Sequence, residues 1–305
     1  MERKVIVIVG PTCSGKSNLA VSIAEKLDTE IISADSRQIY RYLDIGTAKP
    51  SETELKKIKH HFIDFIEPLN DYNVSRFETD ALLIIDKLIE KSKVPVVVGG
   101  SGLYIKALID GIFNSVDVDF EYREELKKKR EEFGNEFLYK MLREVDPESA
   151  SKMLPQNWKR VMRALEVFHL TGKPIWNFQN NYERKNVNMF IQFGLEWQRE
   201  TLYKNIELRV DTMLKDGLID EVKNLLSLGL PKNLNALNTV GYKEIISYLD
   251  NDITLDRAVE LIKRNTRHYA KRQLTWFRKD ERINWLQVNS DEDLTIAAES
   301  ILNSF

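Results

Sequence analysis

A chain of 305 residues is long enough for two domains of ordinary size, or for one large domain carrying an insertion. An apolar share of 43% with 30% charged residues excludes a disordered or fibrous protein, and 45 Lys and Arg against 47 Asp and Glu argues, as an average, against a nucleic-acid partner unless charge is gathered in a patch. A single cysteine, Cys13, excludes an internal disulfide and fits a reducing cytosol, and the apolar stretch Val5–Val9 is too short for a signal core or a bilayer span. A cytoplasmic protein with no cleaved leader and no membrane partner is expected.

Residues Lys4–Val9 are almost all β-branched and predict a strand buried on both faces. Gly10–Lys16 breaks it, and Asn18–Leu27 reads as a helix. A second strand, Glu30–Ser33, ends in Ala34-Asp35-Ser36. The helical pattern Phe77–Lys91 leads to a third strand, Val94–Val98, ending in Gly99-Gly100-Ser101-Gly102 before a helix from Leu103. This alternation predicts an α/β fold, a P-loop NTPase-like parallel sheet with helices on both faces, whose ligands bind beyond the carboxyl ends of the strands. All three special loops fall at that end. From about Asp117 the strands cease: Phe120–Phe133 is dense in charge, and Phe137–Val145 and Trp158–Leu170 are helical. Residues 116–185 are therefore expected to form an all-helical insertion domain between the two parts of the core, 1–115 and 186–305. Phe190–Leu195 can return as one more strand, followed by helices Arg199–Asp216, Leu218–Leu228, Tyr242–Leu249 and Leu255–Phe277. Thr171-Gly172-Lys173-Pro174 and Asn180–Asn188 read as breaks.

Gly10-Pro11-Thr12-Cys13-Ser14-Gly15-Lys16-Ser17 matches G-x-x-x-x-G-K-[ST] with a strand before it and a helix after it. Its glycines let backbone N–H groups face an anion, Lys16 adds a mobile charge, and the Ser17 hydroxyl can ligand Mg²⁺. The motif names the anion and leaves the reaction open, with ATP its commonest source. Neither N-K-x-D nor D-x-x-G occurs, and the third strand ends without a carboxylate, so a GTPase or an ATP-driven motor is disfavoured and a transferase gains weight.

Asp35 can assist a metal, orient a nucleophile or accept its proton, or can simply cap the following turn. Ser101 brings a hydroxyl to the same rim, within either a functional loop or a plain strand-to-helix turn. Gly46–Pro50 is less transparent. His60 and His61, adjacent in sequence, point to different faces and cannot share a metal as an i, i+4 pair would, so they read as a solvated or substrate-adjacent loop.

Charge is indeed gathered. Lys263–Lys279 holds seven basic residues and no acid. On a helix Arg264, Arg267, Lys271 and Arg278 share one side, with Ile262, Tyr269, Gln273, Trp276 and Phe277 roughly opposite. Seven charges of one sign favour contact with backbone phosphates over an ordinary surface helix. Lys159, Arg160 and Arg163 form a second cluster beside Trp158, within the insertion, and two such segments suit an elongated polyanion better than a mononucleotide.

Gly10–Ser17, Ile31–Ser36, Gln38-Ile39-Tyr40, Asp44–Pro50, His60-His61, Val98–Tyr104, Arg163–Val167, Gly241–Glu244 and Leu261–Arg278, in this order and spacing, closely resemble the tRNA dimethylallyltransferases, or isopentenyl-diphosphate:tRNA transferases, along nearly the whole chain. The resemblance implies transfer of a dimethylallyl group from dimethylallyl diphosphate to N6 of the adenosine 3′ of the anticodon, with release of diphosphate. It implies that Gly10, Pro11, Thr12, Cys13, Ser14, Gly15, Lys16 and Ser17 hold the diphosphate, with Mg²⁺ at Ser17 and Arg209 as a further diphosphate or RNA contact. It implies Asp35, Ser101 and Lys16 as catalytic residues. It also implies tRNA contacts at Asp35, Ser36, Arg37 and Gln38, at Ser101 and Arg123, and at Lys159, Arg160, Val161, Met162 and Arg163, with the anticodon stem-loop gripped by the insertion and phosphates tracked by Arg267 and Lys271. Two residues depart from the family pattern, Arg37 for an apolar residue and Lys159 for a frequent Gln, and both add positive charge. A P-loop small-molecule or nucleoside kinase, and an RNA-binding protein with a regulatory nucleotide site, are the competing readings. No association motif is visible, and a monomer is expected.

Overall fold

The computed structural model describes residues 4–112, 116–179 and 189–305. They fall into two compact units, Met1–Ile109 with Asn186–Phe305, and Asp110–Lys185. The chain enters the first unit through β1 (Val5–Val9), α1 (Lys16–Lys26), β2 (Ile31–Ser33), α2 (Glu52–Lys57), β3 (His60–His61), α3 (Val74–Glu90), β4 (Val96–Gly99) and α4 (Gly102–Asp110). It then runs through the helices of the second unit, α5 (Phe120–Phe133), α6 (Asn135–Val145), α7 (Pro147–Ser151), α8 (Trp158–Thr171) and α9 (Ile175–Gln179). It returns with β5 (Phe190–Trp197), α10 (Arg199–Lys215), α11 (Leu218–Ser227), α12 (Tyr242–Leu249), α13 (Leu255–Phe277), β6 (Ile283–Val288) and α14 (Asp291–Leu302).

Among the described residues six strands form one sheet in the order β3-β2-β4-β1-β5-β6, with every pairing parallel. All five residues of β1 are fully buried because the pleat sends alternate side chains to opposite, helix-covered faces. Val5, Val7 and Val9 join Phe77, Ile85, Leu108 and Ile262 on one side, whereas Ile6 and Ile8 join Leu19, Ile23, Ala298 and Ile301 on the other.

Three features differ from the sequence reading. The expected His60-His61 loop is instead a short edge strand: His61 Nε2 lies 2.6 Å from Glu30 Oε2 and His60 Nδ1 2.8 Å from the Ile58 carbonyl oxygen. Strand β4 starts at Val96, since Pro95 has no N–H to give the ladder. Strand β6 and helix α14 were not expected; the Ser290 hydroxyl caps α14 by accepting from the Asp293 N–H. The break at Thr171–Pro174 falls where Gly172 ends α8 in a left-handed conformation at φ 66°, and the break at Asn180–Asn188 lies outside the described residues.

The second unit has helices and no strand among its described residues, and has its own core, built on Leu126, Leu138, Leu142, Val161 and Leu165. Its helices are otherwise rich in charge, and two acids are buried among the described residues there, Asp146, which caps α7 by accepting from the Ser149 N–H, and Glu166 of α8. The Glu166 carboxylate accepts from the Asp119 N–H at 2.9 Å, from Arg123 Nε at 2.7 Å and from Arg163 Nη1 at 2.5 Å. Arg163 also donates to the carbonyl oxygens of Val116 and Asp117, so one buried charge joins α8 to the segment entering α5. Removing it leaves two guanidinium groups without their shared partner. Glu166→Ala is expected to destabilise this unit by about 3 kcal/mol, the lower end for breaking a buried pair because both arginines are partly exposed. Hydrogen exchange along α8 measures this, and wild-type protection there would contradict it.

Candidate active site

Strands β2, β4 and β1 are consecutive in the sheet, so the Gly99–Gly102 loop lies between the Asp35 turn and the phosphate loop. The fit is close. A Cβ on Gly99 would come within 2.1 Å of the Ala34 carbonyl oxygen, and the Ser101 N–H donates to that oxygen at 3.2 Å. The Ser101 hydroxyl accepts from the Ser36 N–H at 3.0 Å and donates to Ser36 Oγ at 3.2 Å. The resemblance implies a catalytic and tRNA-contacting role for Ser101. In this structure it fastens one strand-end loop to the next.

The phosphate loop turns through left-handed residues at Cys13 (φ 63°) and Gly15 (φ 78°), an arrangement that brings successive amides toward one concavity. Two distant side chains hold it. Trp197 at the end of β5 donates Nε1–H to the Ser14 carbonyl oxygen at 2.9 Å, and Gln273 of α13 accepts the Thr12 N–H at 2.8 Å. Lys16 donates to the Pro11 carbonyl oxygen at 3.1 Å. Burial pushes its ammonium down to about 8; the Asp35 carboxylate opposes that shift and the Arg209 guanidinium adds to it. An anionic ligand placed beside Lys16 would favour its charged form further. Ser17 is exposed at the start of α1, and Ser14 Oγ is buried with no partner among the described residues. No group of three or more His, Cys, Asp or Glu among the described residues could hold a metal. A lone hydroxyl beside a phosphate site nonetheless fits Mg²⁺, which takes most of its ligands from water and phosphate oxygens.

Asp35 does what its capping role requires and keeps an oxygen besides. Its Oδ1 accepts from the Arg37 N–H at 2.8 Å and the Gln38 N–H at 3.4 Å, while Oδ2 has no hydrogen bond among the described residues. Burial and the nearby Asp35 charge both raise the phenols of Tyr104 and Tyr269, which therefore stay neutral beside this carboxylate. The side chains of Arg37 and Gln38, expected at RNA, are engaged within the protein. Arg37 donates to the Asn235 carbonyl oxygen at 2.6 Å, and Gln38 donates to those of Thr47 and Ala48.

The opaque Gly46–Pro50 segment is the wall these contacts support. Glu221 of α11 accepts from the N–H groups of Asp44, Ile45 and Gly46 and from the Tyr242 hydroxyl, and Lys49 is buried between Asp44 and Asp64. Wall, phosphate loop and α13 enclose a cavity of about 530 Å³, lined by Lys16, Asp35 and Arg209, by Tyr269 and Arg272, and by apolar Met213, Val240 and Ile262.

The basic residues of α13 are more mixed than their sequence. Lys263, Arg267 and Arg278 pair with Asp211, Glu207 and Glu196 from α10 and β5, so the missing acids are supplied by neighbouring elements. Lys271 and Arg272 are exposed and have no ion pair among the described residues. In the second unit Lys159 and Arg160 are exposed, with Lys159 and Arg130 placed over the Trp158 ring. Val161 and Met162, expected to touch RNA, are buried in that unit's core, because the helical period turns them inward while 159 and 160 face out. Arg123 and Arg163 are bound to Glu166.

Sequence reasoning missed Trp197, Gln273, Glu221 and Glu166. For Gln273 a signal existed, a lone amide on the apolar side of an otherwise amphipathic helix.

A phosphate loop at the head of a parallel sheet, a carboxylate one loop away and a half-apolar cavity between them define a phosphate-loop transferase. The IPP transferase family model matches residues 38–280. The tRNA dimethylallyltransferase of Alkaliphilus oremlandii (strain OhILAs) is 46% identical over 306 residues, covering 100% of this chain and 98% of that protein. That of Pelotomaculum thermopropionicum is 48% identical over 297 residues, covering 97% and 94%. Among solved structures, the tRNA isopentenylpyrophosphate transferase from Bacillus halodurans is similar with a TM-score of 0.72 at 37% identity, covering 99% of this chain and 96% of that one. A eukaryotic dimethylallyltransferase acting on tRNA gives 0.84 at 28% identity, covering 100% and 79%. The chain belongs to the IPP transferase family. These relatives favour the prenyltransferase reading over the kinase.

Proposed function

We propose that this protein transfers the dimethylallyl group of dimethylallyl diphosphate to N6 of the adenosine immediately 3′ of the anticodon in tRNA. The observation that carries this reading is the cavity in which Lys16 and Arg209 meet Asp35 beside an apolar wall. The cations and the phosphate-loop amides bind the diphosphate, and Met213, Val240 and Ile262 keep water from the allyl tail. The adenine N6 attacks the allyl C1 as the C1–O bond breaks with its electron pair going to diphosphate, and Asp35 Oδ2 takes the N6 proton. An aromatic amine is too weak an acid to ionise first, so the carboxylate acts as the C–N bond forms. Lys16 stabilises charge appearing on the leaving oxygens. When bound, Mg²⁺ at Ser17 would add positive charge there.

The exposed Lys159 and Arg160 of the second unit suit the anticodon stem-loop, and Lys271 and Arg272 suit RNA phosphates. Among the described residues no helix is long and apolar enough to cross a membrane. Action as a cytoplasmic monomer accords with the lone cysteine and the absence of a visible association motif. The reading is tested by incubating the protein and Mg²⁺ with unmodified tRNA and radiolabelled dimethylallyl diphosphate. Label should enter tRNA with one diphosphate released per transfer; unlabelled tRNA, with a metabolite phosphorylated from ATP instead, would overturn it.

The ion pairs on α13 set a sharper expectation than its composition did. Lys271→Gln with Arg272→Gln should flatten the dependence of tRNA affinity on salt, lowering the log–log slope by about 2, close to one counterion for each phosphate no longer neutralised. Arg267→Gln, which removes a charge already paired with Glu207, should change it far less. Equal effects would mean that the pair opens on RNA.

A further inference from the structure

Gln273 stands out because both ends of its side-chain amide are engaged, in a buried place, with two different strand-end loops. Its Oε1 accepts the Thr12 N–H at 2.8 Å, and its Nε2 donates to the Gly100 carbonyl oxygen at 3.0 Å. The residue is 6% exposed. This orientation is imposed by its partners, since a flipped amide would set N–H against N–H and oxygen against oxygen. Gly100 leaves the space it needs: a Cβ there would lie 2.2 Å from Nε2.

We propose that Gln273 is a positioning residue for diphosphate, a clamp that fixes the open end of the phosphate loop at Thr12 against the Gly99–Gly102 loop. The inference rests on the reading of Gly10–Ser17 as the diphosphate site. Thr12 immediately precedes the left-handed Cys13, and its amide is held by Gln273. The anion is therefore met by the amides that follow, and their direction depends on where Thr12 is held. The far edge of the loop is fixed separately, through Trp197 and the Ser14 carbonyl oxygen. Released at Thr12, the loop would pivot on that second anchor and its amides would lose their common aim. The same helix carries the exposed Lys271 and Arg272 two residues and one residue before Gln273, so a single element presents charge outward and holds the diphosphate loop inward.

The test measures inorganic diphosphate binding in the presence of Mg²⁺ by calorimetry, together with thermal midpoint and tRNA affinity without diphosphate. Gln273→Met, similar in length but without either hydrogen bond, should weaken diphosphate binding tenfold or more while tRNA affinity stays within twofold. Gln273→Glu, which keeps the acceptor for Thr12 but sets a carboxylate against the Gly100 carbonyl oxygen, should also weaken it and serves if the Met variant does not fold. Gly100→Ala leaves Gln273 in the sequence but displaces its amide, and should give a similar loss. The double variant Gly100→Ala, Gln273→Met should then be little worse than either single one, as expected for residues acting through one contact. Diphosphate affinity within twofold of wild type in a folded Gln273 variant, or losses that multiply in the double variant, would overturn the proposal. Failure of the wild-type protein to bind diphosphate would instead overturn the reading on which it rests.

Discussion

Replacing Asp35 with Asn should lower the single-turnover rate of prenyl transfer by about 10² to 10⁴, the range attributed to a positioned general base. The substitution suits the geometry. Asparagine can offer the same acceptor to the Arg37 and Gln38 N–H groups, so the turn that Asp35 caps would survive, and only proton acceptance at Oδ2 is lost. Asp35→Ala removes cap and base together, so any extra loss over Asp35→Asn measures the turn. The tRNA affinity of Asp35→Asn should remain near wild type. An Asp35→Asn protein that transfers at the wild-type rate would take this residue out of the chemistry and leave it the cap alone.

Lys16→Met should reduce kcat/KM for dimethylallyl diphosphate by about 10² to 10³, comparable to removing one preorganised donor at a developing anion. Most of the loss should fall on kcat, because the amine matters most when the C1–O electron pair arrives on the diphosphate. Lys16→Arg should not restore the rate: the ammonium sits in a buried place with one backbone contact at Pro11, where a planar, five-donor fork has neither the room nor the partners it needs. Steady-state kinetics with saturating tRNA separates the two parameters. A rise in KM at constant kcat would mean that Lys16 binds substrate without acting on the transition state.

The fold and the site are legible in the sequence to different depths. Strand β1, the phosphate loop and α13 announce themselves through local pattern: a continuous β-branched run, a spaced glycine motif and a long amphipathic period. Strand β3, two residues long, has no room for a pattern, and β6, at a sheet edge, sets its polar residues Asn284 and Gln287 three apart, which is not the two-residue period of a strand. What is hidden at the site is of one kind. Glu221, Trp197 and Gln273 are polar residues whose partners lie far along the chain, up to 177 residues away for Glu221 and Asp44, 183 for Trp197 and Ser14 and 261 for Gln273 and Thr12. The basic run of α13 misleads for the same reason, since the acids that answer it belong to α10 and β5. For Asp35 the sequence allows either base or cap, and its two oxygens leave room for both.

The place of β1 in the sheet bears on how the protein is made. It leaves the ribosome before either of its neighbours, and it pairs with β4 on one side and with β5 on the other, from Val5 against Phe190 to Val9 against Gly194. Until residue 190 is synthesised, after the described helices of the second unit, a strand of five apolar residues keeps one edge unsatisfied. At about 5 to 20 residues per second that exposure lasts on the order of 10 seconds or more. The second unit, built from nearby helices, can fold during the wait, while the catalytic sheet must stand open and the phosphate loop is clasped only when Gln273 arrives. Such late, long-range closure predicts slow refolding in vitro and a nascent chain that depends on chaperones to cover its half-built sheet.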